Sequence, residues 1–307
     1  MNPLRARIAG STAGAALPWP GLLLAAGGAI AFSGKAIIVK LAYRYGVDAV
    51  TLIMLRMLFA LPLFVLLAWR AGRGRPPLQP RDRVAVLLLG FSGYYLASFL
   101  DFAGLQYVSA SLERLILYLG PTLVLLLGRV LLGRGIRAGQ LQALAISYAG
   151  VALVFGRELR VDGADVLLGS ALVFASTLSY ALYLLYSGEV VQRIGALRLT
   201  GLATTVACVL CILQFVLLRP LAAGWQVAPP VLWLSLLNAT LCTFVPVLMV
   251  MMAIERIGAA AAAQAGMIGP PATVAMGVLI LGETFDAWVA AGTVLVLAGI
   301  WRLSRLR

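Results

Sequence analysis

Six ionisable side chains lie inside or at the edge of long apolar runs: Lys35, Lys40, Arg56, Asp101, Glu113 and Arg114. A charge in hydrocarbon is costly, so such groups face a cavity or a partner. At about 1.5 Å of rise per helical residue, all six fall in the same, outer half of their runs, and all belong to the first half of the chain. Two readings follow. The six form a binding site or gate on a substrate pathway, or they are buried ion pairs that orient helices. On the first reading Asp101 and Glu113 pair with Arg56 and Arg114. Lys35 is then left to meet a carboxylate or phosphate, and one of the acids is a candidate to carry a coupling proton. Lys40 and Arg114 could instead snorkel to the interface.

Tyrosines offer a second kind of chemistry. Tyr180, Tyr183 and Tyr186 recur every three residues, as a stripe on one helix face. They could line a cavity and stack on a substrate, or pack against other helices with their hydroxyls bonded. Tyr118 has the same two options. The chain has no histidine, so no His-based triad, His metal ligand or His pH switch is available. The three cysteines, Cys208, Cys211 and Cys242, sit in apolar runs and read as small packing residues. No metal and no organic cofactor is implied, and a nucleophile with its base is missing.

The elements that hold these residues must be membrane helices. Of 307 residues, 62% are apolar and only 11% charged, against about 25% charged in a soluble domain. Mean hydropathy is +1.00. Ten runs approach membrane length, approximately 19–41, 49–69, 84–104, 110–132, 141–155, 166–186, 199–218, 231–253, 259–281 and 287–303. Backbone groups cannot stay unpaired in lipid, so each run is a helix. The net charge of +13 lies in short connections, which leaves no soluble basic surface for a nucleic acid. Residues 1–18 read as an uncleaved cytoplasmic segment. With it inside, sixteen arginines fall on the same side of the membrane. Only Arg44, Arg157, Arg160 and Arg219 fall on the other. Both termini are therefore expected in the cytoplasm. Trp19, Trp69, Trp225, Trp233 and Trp301 fall near span ends, as interfacial anchors do.

A shift of 149 residues superposes the chain on itself. Gly120-Pro121 falls on Gly269-Pro270, Gly128 on Gly277, Gly133 on Gly282, and Ala149-Gly150 on Ala298-Gly299. A five-span unit repeated once must be inserted upside down the second time, and inverted repeats mark transporters that work by alternating access. Gly120, Pro121, Gly269 and Pro270 are then candidate hinge or packing positions. Arg134 and Glu283 are equivalent positions on opposite membrane faces.

These paired motifs, Leu119-Gly120-Pro121 to Leu132-Gly133 and Ile268-Gly269-Pro270 to Leu281-Gly282-Glu283, with Ala149-Gly150 and Ala298-Gly299 closing each half, resemble the drug/metabolite transporter superfamily of the EamA-type ten-span kind. The resemblance implies an all-α polytopic membrane protein with ten transmembrane helices as two inverted five-helix repeats. One repeat spans 19–156 and the other 166–303, separated by an external loop at 157–165, with a cytoplasmic tail at 304–307. It departs at Arg134, where such families carry Glu. It further implies a non-enzymatic secondary transporter of the inner membrane, exporting an amino acid or organic anion-like metabolite. Expected partners are a small-molecule substrate and the lipid bilayer, with a coupling proton and a homodimer left open. A lipophilic-cation exporter, a nucleotide-sugar-type carrier and a non-transport membrane subunit are the alternatives.

Overall fold

The computed structural model describes residues 19–133 and 135–305, and among them every regular element is helical. Ten helices are numbered in chain order. The first half holds α1 (Trp19–Tyr43), α2 (Ala49–Gly72), α3 (Pro80–Gly104), α4 (Ala110–Leu132) and α5 (Ala138–Asp162). The second holds α6 (Ala164–Ile194), α7 (Ala196–Leu218), α8 (Pro229–Ile254), α9 (Gly266–Leu281) and α10 (Ala287–Arg305). Among the described residues nine of these are long and apolar enough to cross a bilayer, and α9 is a shorter apolar helix. The chain is an all-α polytopic membrane protein. Readings placed on residues 1–18, Arg134 and Arg307 lie outside the described residues.

The inversion is visible in the packing. Under the 149-residue shift α2 corresponds to α7 and α5 to α10. Met57 of α2 touches Cys208 of α7 at 3.7 Å, while a Cβ at Gly201 would lie 2.7 Å from the Ala68 backbone. As numbers rise along α2 they fall along α7, so equivalent helices run antiparallel, which is what an inverted repeat requires. The α5–α10 pair is symmetric to the residue. A Cβ at Gly150 would lie 2.6 Å from the Gly292 carbonyl, and one at Gly299 would lie 2.7 Å from the Ala143 carbonyl. Gly150 is equivalent to Gly299, and Ala143 to Gly292. Lipid tails give no hydrophobic drive for association, so small residues that admit close backbones hold such helices together. In the same way α1 packs on α8 and α3 on α6, again equivalent pairs.

Local chemistry repeats as well. Helices α4 and α9 end at Gly133 and Gly282, in left-handed backbone with φ of 64° and 75°, a conformation that a side chain disfavours. Each also breaks just before its Gly-Pro pair, at Tyr118–Leu119 and at the tight turn Gly266–Ile268. Proline fits the first turn that restarts the helix.

Three expectations need correction. Segment 157–165 is mostly helix: α5 runs to Asp162 and α6 starts at Ala164, with Gly163 at φ 77° making the turn alone. Helix α6 continues to Ile194, well past Tyr186. The turn between α8 and α9 is itself helical, the backbone keeping helical bonding from Val245 to Ala265. Gly21 of α1 packs on Ile257 while Ser33 bonds Gly269, so the chain doubles back within that stretch. The five tryptophans read as anchors are all exposed. The three cysteines are free and buried.

Candidate functional site

Charge converges where the apolar core divides. One apolar cluster holds Leu52, Ile53, Met57 and Phe102, and another holds Leu112, Leu115 and Val274. Asp101 and Glu113 are sequence neighbours of the two clusters and lie at their seam. Lys35 of α1 donates to Asp101 Oδ2 of α3 at 2.5 Å and lies 3.2 Å from Glu113 Oε1 of α4. The Lys35 side chain is 16% exposed, that of Asp101 3% and that of Glu113 0%. One ammonium therefore serves two carboxylates. Asp101 Oδ1 and both Glu113 oxygens have no hydrogen-bond donor among the described residues; the Lys35 contact to Glu113 Oε1 is an ion pair without hydrogen-bond geometry. The expectation that Lys35 is free for substrate is overturned. Its ammonium is compact enough to lie between two acids that, unshared, would repel one another in low dielectric.

The arginines do not pair with those acids. Arg114 of α4 donates Nε to the Thr273 hydroxyl of α9 at 2.9 Å and Nη2 to the Phe32 carbonyl of α1 at 2.8 Å. Arg56 of α2 donates Nε to the Thr243 hydroxyl of α8 at 3.2 Å. Its guanidinium lies over the Phe102 ring, 5.1 Å from the centroid, in cation–π geometry. The fork of Arg and the hydroxyl of Thr thus join the two repeats at two points. Thr243 sits in a wide π-helical stretch, Thr240–Phe244, and passes its own proton to the Asn238 carbonyl at 2.8 Å. Its repeat equivalent in α3, Gly90–Leu96, is also π-helical. Such bulges leave unpaired backbone groups and often mark working sites.

The Gly-Pro positions are tied to the same region. Pro270 has no N–H to give the Gly266 carbonyl, which takes the Gly269 N–H in the tight turn instead. The Tyr118 hydroxyl also donates to that carbonyl at 2.9 Å. Ser33 donates to the Gly269 carbonyl at 2.9 Å. A Cβ at Gly269 would run into the Tyr118 hydroxyl. Gly120 is buried against Thr177, and Pro121 follows it at the restart of α4. Tyr180 and Tyr183 do not reach the charge cluster. Tyr180 stacks on Tyr183 at 5.4 Å, and Tyr183 meets Tyr94 edge-on with the hydroxyls 3.2 Å apart.

Both ends of the bundle are latched. At the end holding Arg44, the Arg44 guanidinium donates to the Leu281 carbonyl at 2.7 Å, Arg157 pairs with Asp286 at 2.8 Å, and Asp48 pairs with Arg219 at 3.3 Å. Lys40 donates to the Val108 carbonyl at 2.9 Å. Glu283 accepts from the Ala110 N–H at 2.6 Å. At the other end Arg193 pairs with Asp82 at 2.8 Å and Arg75 donates to the Ile194 carbonyl at 2.9 Å. An apolar groove of 480 Å³ between α9 and α10, lined by Val278, Leu279, Phe285 and Val294 among others, has no polar surface. None of the charged residues above lines it.

Sequence reasoning missed Thr243, Thr273 and Ser33. A hydroxyl in an apolar run has too many uses to signal one, since most bond their own helix. Glu283 was visible in its motif but read only as a charge at a helix end.

Sequence comparison agrees with this architecture. The model of the EamA-like transporter family matches residues 19–156 and again residues 167–305. The Bacillus subtilis (strain 168) protein named "Uncharacterized transporter YcbK" is 30% identical over 271 residues, covering 83% of each chain. A second protein of that organism, "Uncharacterized transporter YetK", is 25% identical over 252 residues, covering 80% of this chain and 76% of its own. A solved crystal structure is similar with a TM-score of 0.63 at 18% identity, covering 94% of this chain and 99% of that one, a likeness of fold alone.

Proposed function

Because the chain belongs to the EamA-like transporter family and is a membrane transporter, we propose that it moves a small metabolite, an amino acid or organic acid, by alternating access through the seam where Lys35, Asp101 and Glu113 meet. The observation that carries this reading is the buried triad itself. Three helices of one repeat deliver two carboxylates and one ammonium to the membrane interior, against a surface formed partly by the other repeat. Buried polar groups with free valences are retained at such cost when a ligand uses them. The latches at the two ends are the contacts that would break alternately, with the restarts at Gly120-Pro121 and Gly269-Pro270 as flexing points. Both termini on the cytoplasmic side are supported by the arginine asymmetry, and export across an inner membrane is part of the same proposal. Glu113, buried without a donor to either oxygen, suits a coupling proton. The transporter is read as having no catalytic activity, and the bilayer as the partner of its exposed apolar faces.

A second reading, extrusion of lipophilic cations, is favoured by one observation: the free oxygens belong to carboxylates. Purified protein in liposomes decides between them. Saturable counterflow of a labelled amino acid or organic acid, reduced roughly tenfold or more in Asp101→Asn, supports the first reading. Saturable flux of tetraphenylphosphonium alone moves the assignment to cation extrusion. Flux that never saturates removes the carrier reading.

A further inference from the structure

We propose that Arg56 is the subsite that reads a carboxylate on the transported molecule, opposite the acids that read its ammonium group. The proposal rests on the transporter reading above. Arg56 is 6% exposed and spends Nε on Thr243, yet its Nη1 has no acceptor among the described residues. It makes no ion pair among them. A guanidinium cannot be neutralised in a protein, so its charge persists in the membrane interior and calls for an anion. The Asn238 side-chain oxygen is also buried without a partner, on the residue whose carbonyl takes the Thr243 proton. A second unfilled polar group thus stands on the helical turn just before the bulge at Thr240–Phe244.

Two connections place this subsite beside the triad. The guanidinium covers Phe102, the residue after Asp101. Gly34 of α1 approaches Cys242 of α8 so closely that a Cβ would lie 2.9 Å from its sulfur. The next residues along are Lys35 and Thr243. The Arg56 anchor and the triad thus lie along the same pair of facing helices, and the Asp101 carboxylate acts electrostatically on Arg56. Arg56 Nη1 on one side, and Asp101 Oδ1 and Glu113 Oε2 on the other, have no hydrogen-bond partner among the described residues. Arg114, the other buried arginine, is already held by Thr273 and Phe32 and offers no such vacancy. A free donor cation next to free acceptor anions matches a small zwitterion, one carboxylate and one ammonium on adjoining carbons. A lipophilic cation would satisfy the acids and leave Arg56 unpaired, and repelled by it.

The test uses the full-length protein in detergent. Thermal stabilisation is measured with the common amino acids, each beside its carboxamide and its deaminated acid, and with tetraphenylphosphonium. The expected result is stabilisation by at least one amino acid, loss of it with the carboxamide, and at least about a tenfold weaker midpoint in Arg56→Gln. Deaminated acid is expected to bind more weakly, and Asp101→Asn to narrow that gap. Equal stabilisation by acid and carboxamide overturns the proposal, as does unchanged binding in Arg56→Gln. If that variant fails to fold, the comparison of acid with carboxamide on the unaltered protein decides alone. Stabilisation by no carboxylate at all also overturns it. Saturable counterflow of tetraphenylphosphonium in that case leaves transport standing, so the two failures are told apart.

Discussion

Glu283 closes the first turn of α4 from the opposite repeat: its Oε2 accepts the Ser111 hydroxyl at 2.6 Å and the Ser111 N–H at 3.2 Å. Its Oε1 takes the Ala110 N–H at 2.6 Å. A carboxylate at a helix N-terminus satisfies orphan donors and meets the positive end of the helix dipole. The residue is held in place by its own backbone, since its N–H donates to the Gly277 carbonyl across left-handed Gly282 at 3.0 Å. Glu283→Gln keeps an acceptor and loses the charge. It is expected to cost about 1–2 kcal/mol of this contact and so raise the open fraction at this end by roughly 5- to 30-fold. Ala110, buried in the latch, reports it: in a background without the native cysteines, Ala110→Cys should react with maleimide faster when Glu283→Gln is added. Gly277→Ala should act in the same direction, because its Cβ would lie 2.6 Å from Glu283 Oε2. An unchanged labelling rate in both would reduce Glu283 to a local cap.

Two glycines of one helix give opposite expectations. A Cβ at Gly150 would lie 2.6 Å from the Gly292 carbonyl and 2.9 Å from the Leu295 side chain, whereas one at Gly156, also in α5, meets nothing within 4 Å. Gly150→Ala should push α5 off α10 and destabilise by about 1–3 kcal/mol. Gly156→Ala relieves only the entropic cost of a helical glycine and should be neutral or stabilising by up to about 1 kcal/mol. Melting of the two variants in detergent checks this. A Gly150→Ala protein as stable as the parent would mean that the two helices separate freely.

Much of this architecture was legible because a membrane allows few solutions. Apolar run length fixes the helices, and the pairing of Gly120, Gly133 and Gly150 with Gly269, Gly282 and Gly299 fixes the symmetry. All of them but Gly120, whose Cβ would meet only Thr177 at 3.8 Å, answer a backbone demand, a left-handed cap or a close approach. The short link at Gly163 was not legible: a polar stretch looks like a loop whether or not its backbone is helical. The charged residues were found, since ions in apolar runs stand out, but their partners were assigned wrongly. Pairing by sign sent the arginines to the acids. In the fold, Lys35 reaches both acids and the arginines reach threonines 159 and 187 residues away, a choice that depends on helix rotation and leaves no trace in composition.

Acid should unlatch the end of the bundle that carries Asp286 and Asp48. Asp286 accepts the Val289 N–H at 3.0 Å and the Trp288 N–H at 3.1 Å at the start of α10, and pairs with Arg157. The Val289 bond first, with Arg157 adding to it, holds its carboxyl below the usual value. For Asp48 partial burial pushes upward, but bonds from Thr51 and Arg219 outweigh it and the net shift is also downward. A carboxyl whose folded value is depressed stabilises fully above its unfolded value, about 3.9. It loses that contribution as pH falls through the folded value. Both groups are partly exposed, so salt screening should shrink the effect. Melting temperature in detergent should therefore be higher for the parent than for Asp48→Asn with Asp286→Asn near pH 6. The two curves should converge as pH falls below about 4, and 1 M salt should narrow the gap at pH 6. A gap that stays constant down to pH 3, or no gap at pH 6, would remove the ionised carboxylates from the latch.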